Sequence, residues 1–199
     1  MHEMEVMNMR PSSPLSLGQR MQEEATPMRQ LVGFRIGDEE FGVDILMVQE
    51  IIRLPAITPI PNAPSFILGM INLRGRVIPI IDLRQRLRIN AKNPGETSRS
   101  MRILILEMGS HQTGFIVDSV SEVMKVPMAE IEPTPHLLAL SIDARYIEGV
   151  IKLTNRLLIL LDFTQILRPH EQKELNEIGD IGAEFSGKEH GSISHAMSL

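Results

Sequence analysis

Six histidines, at positions 2, 111, 136, 170, 190 and 195, are the side chains best suited to moving a proton near neutral pH or holding a metal. They are scattered, and none builds a recognisable metal-ligand motif with another His or an acid. The chain has no cysteine, which rules out a thiolate centre and a disulfide framework. No Gly-x-Ser-x-Gly elbow presents a nucleophile, and no Gly-rich loop of either common spacing cradles phosphate. Paired carboxylates are the remaining route to acid–base or metal chemistry, and Asp44, Asp82, Asp118 and Asp162 all border apolar runs. Two other places carry charge where a partner could use it: the turn Leu73-Arg74-Gly75-Arg76, and Glu50 inside the apolar run VQEII. The expectation is no catalytic residue, no cofactor and no metal.

The elements that position these residues read as all-β. LVGFRIG and EFGVDI alternate apolar and polar residues around Gly37-Asp38-Glu39, the pattern of a hairpin with one wet face. VIPIIDL, RILILEM, TGFIVD and RLLILLDF are short runs bounded by turn residues, and ILMVQEII reads as a helical turn that ends as a strand, which periodicity alone does not settle. Pro55, Pro59, Pro61 and Pro64 make LPAITPIPNAP an extended connector. A short helix is expected over 171–178, just after Pro169, packing Leu175 and Ile178. Residues 1–29 and the last 20 or so lack any sustained period and read as a flexible leader and a flexible tail.

An internal repeat organises the middle. Shifting 34–52 by 72 superposes Gly37 on Gly109, Gly42 on Gly114, Val48 on Val120, Glu50 on Glu122 and Ile51 on Val123. Shifting 66–87 by 80 gives eight identities, among them Gly69 with Gly149, Arg76 with Arg156 and Asp82 with Asp162. Two copies of one all-β unit of about 60 residues follow, each marginal alone because its surface is large relative to its core. Small barrels are favoured, the first over about 30–95 and the second over about 100–169, with exchange of strands between copies possible. Residues 170–199 form the short helix and acidic tail.

The repeat also separates structure from function at single positions. Asp82 and Asp162 recur at strand ends before a helical turn, where a carboxylate caps free amides. Asp44 and Asp118 are not repeat mates and carry no catalytic weight. Met47, Met70, Met101 and Met124 lie in apolar runs as core filler. Two readings stand for Arg74: a solvated turn residue, or an anchor for a partner, since its mate is Thr154 and the fold does not need a guanidinium there. Glu50 has a retained mate in Glu122, which points to a shared structural job beside any functional one.

Charge limits the function classes. The net charge is −5. Residues 171–199 hold six acids and two lysines, residues 1–29 four acids and three arginines, so 30–170 is neutral. A nucleic-acid binder would concentrate cations there, and six Phe, one Tyr and no Trp leave few rings for stacking. Nucleic acid is not an expected partner, although Arg74, Arg76, Arg84, Arg86 and Arg88 keep a small-barrel binder as a rival, and an enzyme with an unfamiliar site is a second. The longest apolar stretches, Val77 to Ile81 and Leu157 to Leu161, are five residues, so no direct membrane insertion is expected. The location read from the sequence is cytoplasmic.

FRIGDEEFGVDILMVQEIIR, ITPIPNAPSFILGMINLRGRVIPIIDLRQRL and GFIVDSVSEVMKV resemble the CheW family of chemotaxis coupling proteins across roughly 30–168. INLRG followed by VIPIIDLR is the most specific segment. The resemblance implies two packed SH3-like five-stranded β-barrels with short helical turns and a short C-terminal helix. It also implies an adaptor linking the regulatory domain of the histidine kinase CheA to the cytoplasmic tip of chemoreceptors, at membrane-associated receptor arrays. By motif, the receptor-binding positions are Val48, Glu50, Gly69, Asn72 and Arg74, with Gly114 and Val123 from the second copy. The kinase is expected on the apolar edge of the first barrel, with no individual residue carried over.

Overall fold

The computed structural model describes residues 26–89, 99–109, 111–135, 142–175 and 177. The expected leader and tail lie outside the described residues apart from 26–29, 170–175 and 177. Eleven strands make up the two sheets described. β1 (Met28–Ile36) and β2 (Glu39–Asp44) form the first hairpin, with Gly37 at a φ of 62° in its turn. β3 (Val48–Arg53) follows a 3-10 turn over Ile45–Met47, so ILMVQEII is a helical turn and then a strand. β4 (Ile67–Leu73) and β5 (Arg76–Asp82) lead into a short helix α1 (Leu83–Leu87). β6 (Arg102–Met108), β7 (His111–Val117) and β8 (Ser119–Pro127) repeat the first three strands. After the two-residue β9 (Ile131–Glu132), β10 (Ile147–Leu153), β11 (Arg156–Leu161) and α2 (Phe163–Ile166) repeat β4, β5 and α1.

One sheet runs β3-β6-β7-β5-β4 and the other β8-β1-β2-β11-β10-β9. Replacing each strand by its repeat mate converts the first order into the second, β9 being extra. Neither sheet is confined to residues 30–95 or 100–169. β1 and β2 of the first copy join the second copy's barrel, and β6 and β7 join the first copy's, so the copies exchange their first two strands. Each exchanged pair meets its host on two sides, antiparallel through β6 against β3 and β1 against β8, and parallel through β7 against β5 and β2 against β11.

Period-two alternation explains where the apolar side chains go. Ile103 and Ile105 enter the first barrel with Ile71, Ile78 and Ile80, whereas Leu104 and Leu106 face a larger core shared by the two sheets. Leu158 and Leu160 fill the second barrel, while Ile159 and Leu161 turn to the shared core. There Phe163 lies 4.9 Å from Phe115 edge-on and 6.2 Å from Phe34, which stacks 5.8 Å from Phe41. Burying these rings supplies much of the attraction between the barrels. Residues 169–175 are helical, and Leu175 seals the shared core. Ile178 lies outside the described residues.

Candidate functional site

The β4–β5 hairpin closes on a two-residue loop, since Leu73 pairs with Arg76. Both loop residues take positive φ, Arg74 at 54° and Gly75 at 85°, as a tight hairpin turn requires. Asn72 fixes the turn by accepting a hydrogen bond from the Gly75 amide at 2.8 Å. Arg74 thereby stands at a rigid tip, 78% exposed, and donates to Glu50 Oε1 at 3.0 Å. Glu50 lies on β3 and Arg74 follows β4, the two edge strands of this sheet, so the pair bridges the barrel's open seam. In the second barrel Arg156 donates to Glu122 at 3.4 Å. The acid thus accepts from an arginine of the hairpin in both copies, from the first loop position in one and from the start of β11 in the other, where Arg156 also donates to Glu40.

A polar depression of about 320 Å³ beside this pair is lined by Gln49, Glu50, Leu73, Arg74, Arg76 and Gln112. Gln49 donates to Glu107 Oε2 at 2.5 Å, which holds one wall. The lining offers donors and acceptors to a partner surface, and its one carboxylate is already ion-paired.

The remaining predicted positions divide sharply. Val48 and its mate Val120 pack against the shared core. Val123 is 54% exposed on β8 and opposes Val32, a shared-core residue, so it projects where that core reaches solvent. Gly69 and Gly114 are buried and shape the site without touching its surface. Gly69 has a φ of 145°, and a Cβ there would collide with the Thr58 carbonyl, because Thr58 and Met70 exchange backbone hydrogen bonds at 2.9 and 2.8 Å. A Cβ on Gly114 would sit 2.5 Å from Ile80 and 2.8 Å from Ile103. Motif transfer missed Ile51, 40% exposed and opposed to the shared-core Leu104. The repeat match of Ile51 with Val123 was the signal that could have found it. Leu46, 85% exposed in the turn before β3, had no such signal.

The four aspartates have structural duties. Asp82 caps α1 through the Gln85 amide at 3.1 Å, and Asp162 caps α2 through the Thr164 amide at 2.9 Å. Asp44 caps the 3-10 turn through Leu46 and accepts from Arg29. Asp118 accepts from the Gly37 amide and from Arg84. Elsewhere Arg145, hydrogen-bonding Asp143 from its side chain and backbone, holds that carboxyl down to about 2. Among the described residues no cluster of three or more His, Cys, Asp or Glu is placed to hold a metal ion, and no helix is long and apolar enough to cross a membrane.

The CheW-like domain model matches residues 30–171, which include every strand but the first two residues of β1. The chain belongs to this family. It is 38% identical over 146 residues to the chemotaxis protein CheW of Rhizobium meliloti, covering 73% of this chain and 91% of that protein. Against CheW of Klebsiella aerogenes it is 36% identical, over 73% of this chain and 85% of the relative. The crystal structure of the scaffolding protein TtCheW from Thermoanaerobacter tengcongensis superposes with a TM-score of 0.66 at 34% identity, covering 73% of this chain and 92% of that one. The architecture is thus that of a CheW-like protein, two SH3-like barrels sharing a core.

Proposed function

We propose that this chain is a non-catalytic chemotaxis scaffold, which couples the regulatory domain of the histidine kinase CheA to the cytoplasmic tip of chemoreceptors. It works in the cytoplasm and is recruited to membrane-associated receptor arrays. The observation that carries the receptor contact is the site at the seam of the first barrel. A rigid, 78%-exposed Arg74 is held over Glu50 on the first-barrel face of β3, whose opposite face carries Ile51 at the rim of the shared core. An arginine fork on a fixed turn, with an apolar rim across the edge strand, has the composition of an interface hot spot. Val48, Glu50, Asn72, Arg74 and Val123 form the receptor surface, and Gly69 and Gly114 keep its backbone in place. Such a scaffold transmits a signal by binding one receptor or kinase state more tightly than another, and needs no chemistry of its own.

The test is a pull-down with a chemoreceptor cytoplasmic fragment and CheA, comparing the wild type with Arg74→Ala and Glu50→Ala. Both variants are expected to lose the receptor while keeping a native circular dichroism spectrum. Unchanged receptor affinity in both would overturn the site, and wild-type protein that captures neither partner would overturn the scaffold reading.

A further inference from the structure

The two barrels close their seams with repeat-related residues, but only the second one balances its charges. There Arg156 sits between two acids, 3.1 Å from Glu40 on β2 and 3.4 Å from Glu122 on β8. In the first barrel the repeat puts Arg76 in place of Arg156, Glu50 in place of Glu122 and Gln112 in place of Glu40. The register agrees with this equivalence, since β7 runs beside β5 as β2 runs beside β11, with Gly114 opposite Ile80 and Gly42 opposite Leu160. Of the two clamping carboxylates, one has therefore become a neutral amide. The other is diverted, because Glu50 accepts from Arg74, whose own mate is the neutral Thr154. Among the described residues Arg76 is left without an acid partner, and the Gln112 side chain without a hydrogen bond.

The space where the missing carboxylate would stand belongs to the polar depression of about 320 Å³. At about 30 Å³ per water molecule, it has room for on the order of ten non-hydrogen atoms. Its walls are fixed, Gln49 by Glu107 at 2.5 Å and the hairpin turn by the Asn72 side chain at 2.8 Å. Arg76 brings a guanidinium fork, the shape that grips a carboxylate through two parallel hydrogen bonds. Gln112 brings an amide donor and acceptor, and Leu73 an apolar wall. Glu50 lines the same space, and Glu107 lies across the ladder from Gln112, so these acids limit how much negative charge can enter. One carboxylate suits the site, whereas a dianion meets both acids.

We propose that the depression binds a small organic monocarboxylate that also carries a hydroxyl group. Its carboxylate lies on Arg76, in the place that Glu40 fills in the second barrel, and its hydroxyl on the Gln112 carboxamide. The carbon skeleton rests on Leu73, which an inorganic anion cannot use. Glu50 and Arg74 also belong to the proposed receptor surface, but Arg76 and Gln112 do not.

The experiment is an NMR titration of the full-length, isotope-labelled protein with sodium lactate, with sodium chloride at matched ionic strength and inorganic phosphate as the other arms. Lactate is expected to shift the Gly75 amide and the Gln112 carboxamide saturably, with a Kd on the order of 1–10 mM, while the Asn155 amide of the second hairpin stays in place. Arg76→Gln should weaken this binding at least about tenfold, and so should Gln112→Glu, which supplies the missing carboxylate internally. Unperturbed amide shifts in the rest of the chain show that both variants are folded. Phosphate should bind more weakly than lactate. No saturable shift in the wild type, equal shifts with chloride, or unchanged lactate affinity in either variant overturns the site. Tighter binding of phosphate than of lactate overturns the choice of ligand.

Discussion

Gly69 and Arg74 both occupy backbone that L-residues avoid, for opposite reasons. Gly69 is buried against a carbonyl, so the missing side chain is the point; Arg74 is at an open tip, where the side chain has been kept despite the conformation. Gly69→Ala should therefore cost about 2–4 kcal/mol in urea unfolding, from strain at positive φ plus displacement of the Thr58 bridge. A loss under about 0.5 kcal/mol would show that the Thr58 strand yields easily. Asp143 offers a pH test. Its folded pKa of about 2 lies below the ordinary 3.8, so the stability it contributes is present above 3.8 and disappears as pH falls towards 2. The effect is small because Asp143 is 38% exposed and screened by solvent. A carboxyl chemical-shift titration should place the midpoint near 2, and Arg145→Ala should move it up towards 3.8. At this scale the sequence exposed Glu50, Asn72, Arg74 and the capping aspartates, whose jobs are local or repeated. It could not separate surface from scaffold: Gly69 and Gly114 belong to the family motif, yet their burial depends on Thr58, Ile80 and Ile103, which are distant in the chain or brought in by strand exchange.

The helical segment over 169–175 shows how one element holds two others. Arg86 on α1 donates to the Ile166 carbonyl at 2.5 Å and to Glu171 at 2.9 and 3.3 Å, with its guanidinium 4.6 Å over the Phe66 ring. Both charged side chains are about 90% buried, at 9% and 10% exposure. Glu171 also accepts from the Arg168 amide at 2.7 Å, tying the start of the segment to the same point. The repeat mate of Arg86 is Ile166, an apolar residue of the shared core, so an apolar side chain suits this position. Removing one partner of a buried pair leaves the other charge stranded, and Glu171→Ala should cost about 3 kcal/mol. Adding Arg86→Ile should recover part of that loss, so the double variant unfolds at a higher denaturant concentration than the single one. A double variant less stable than Glu171→Ala would show that the stack on Phe66, and not the ion pair, carries the contact. Strands, turns and caps were legible from periodicity because they are decided within a few residues. The ion pair was not, because Arg86 and Glu171 are 85 residues apart with no pattern to link them.

For the whole molecule, the exchange of strands follows from connection length. An unexchanged first copy would order its strands β3-β1-β2-β5-β4, which puts β3 on the far side of β1 from β2. In that order β3 would run parallel to β2, so reaching it means crossing two strand spacings, about 10 Å, and returning the length of a strand. Only Ile45, Leu46 and Met47 join β2 to β3, and only Asp118 joins β7 to β8, two Cα steps that span at most about 7 Å. The chain runs straight on into the neighbouring sheet instead, and each copy completes the other. Neither the repeat nor the strand patterns could reveal this, since they report which strands exist and not which partners they can reach. The barrels should consequently be inseparable in stability. Circular dichroism and a probe in either sheet should report one coincident unfolding transition. Fragments 26–89 and 99–177, made separately, should show no cooperative transition, because each supplies only part of both sheets. Mixed in equal amounts they should recover the native spectrum with a midpoint that rises with concentration, since assembly is then bimolecular. Cooperative unfolding of either fragment alone would mean that a copy can close on itself, and that the short connections do not dictate the exchange.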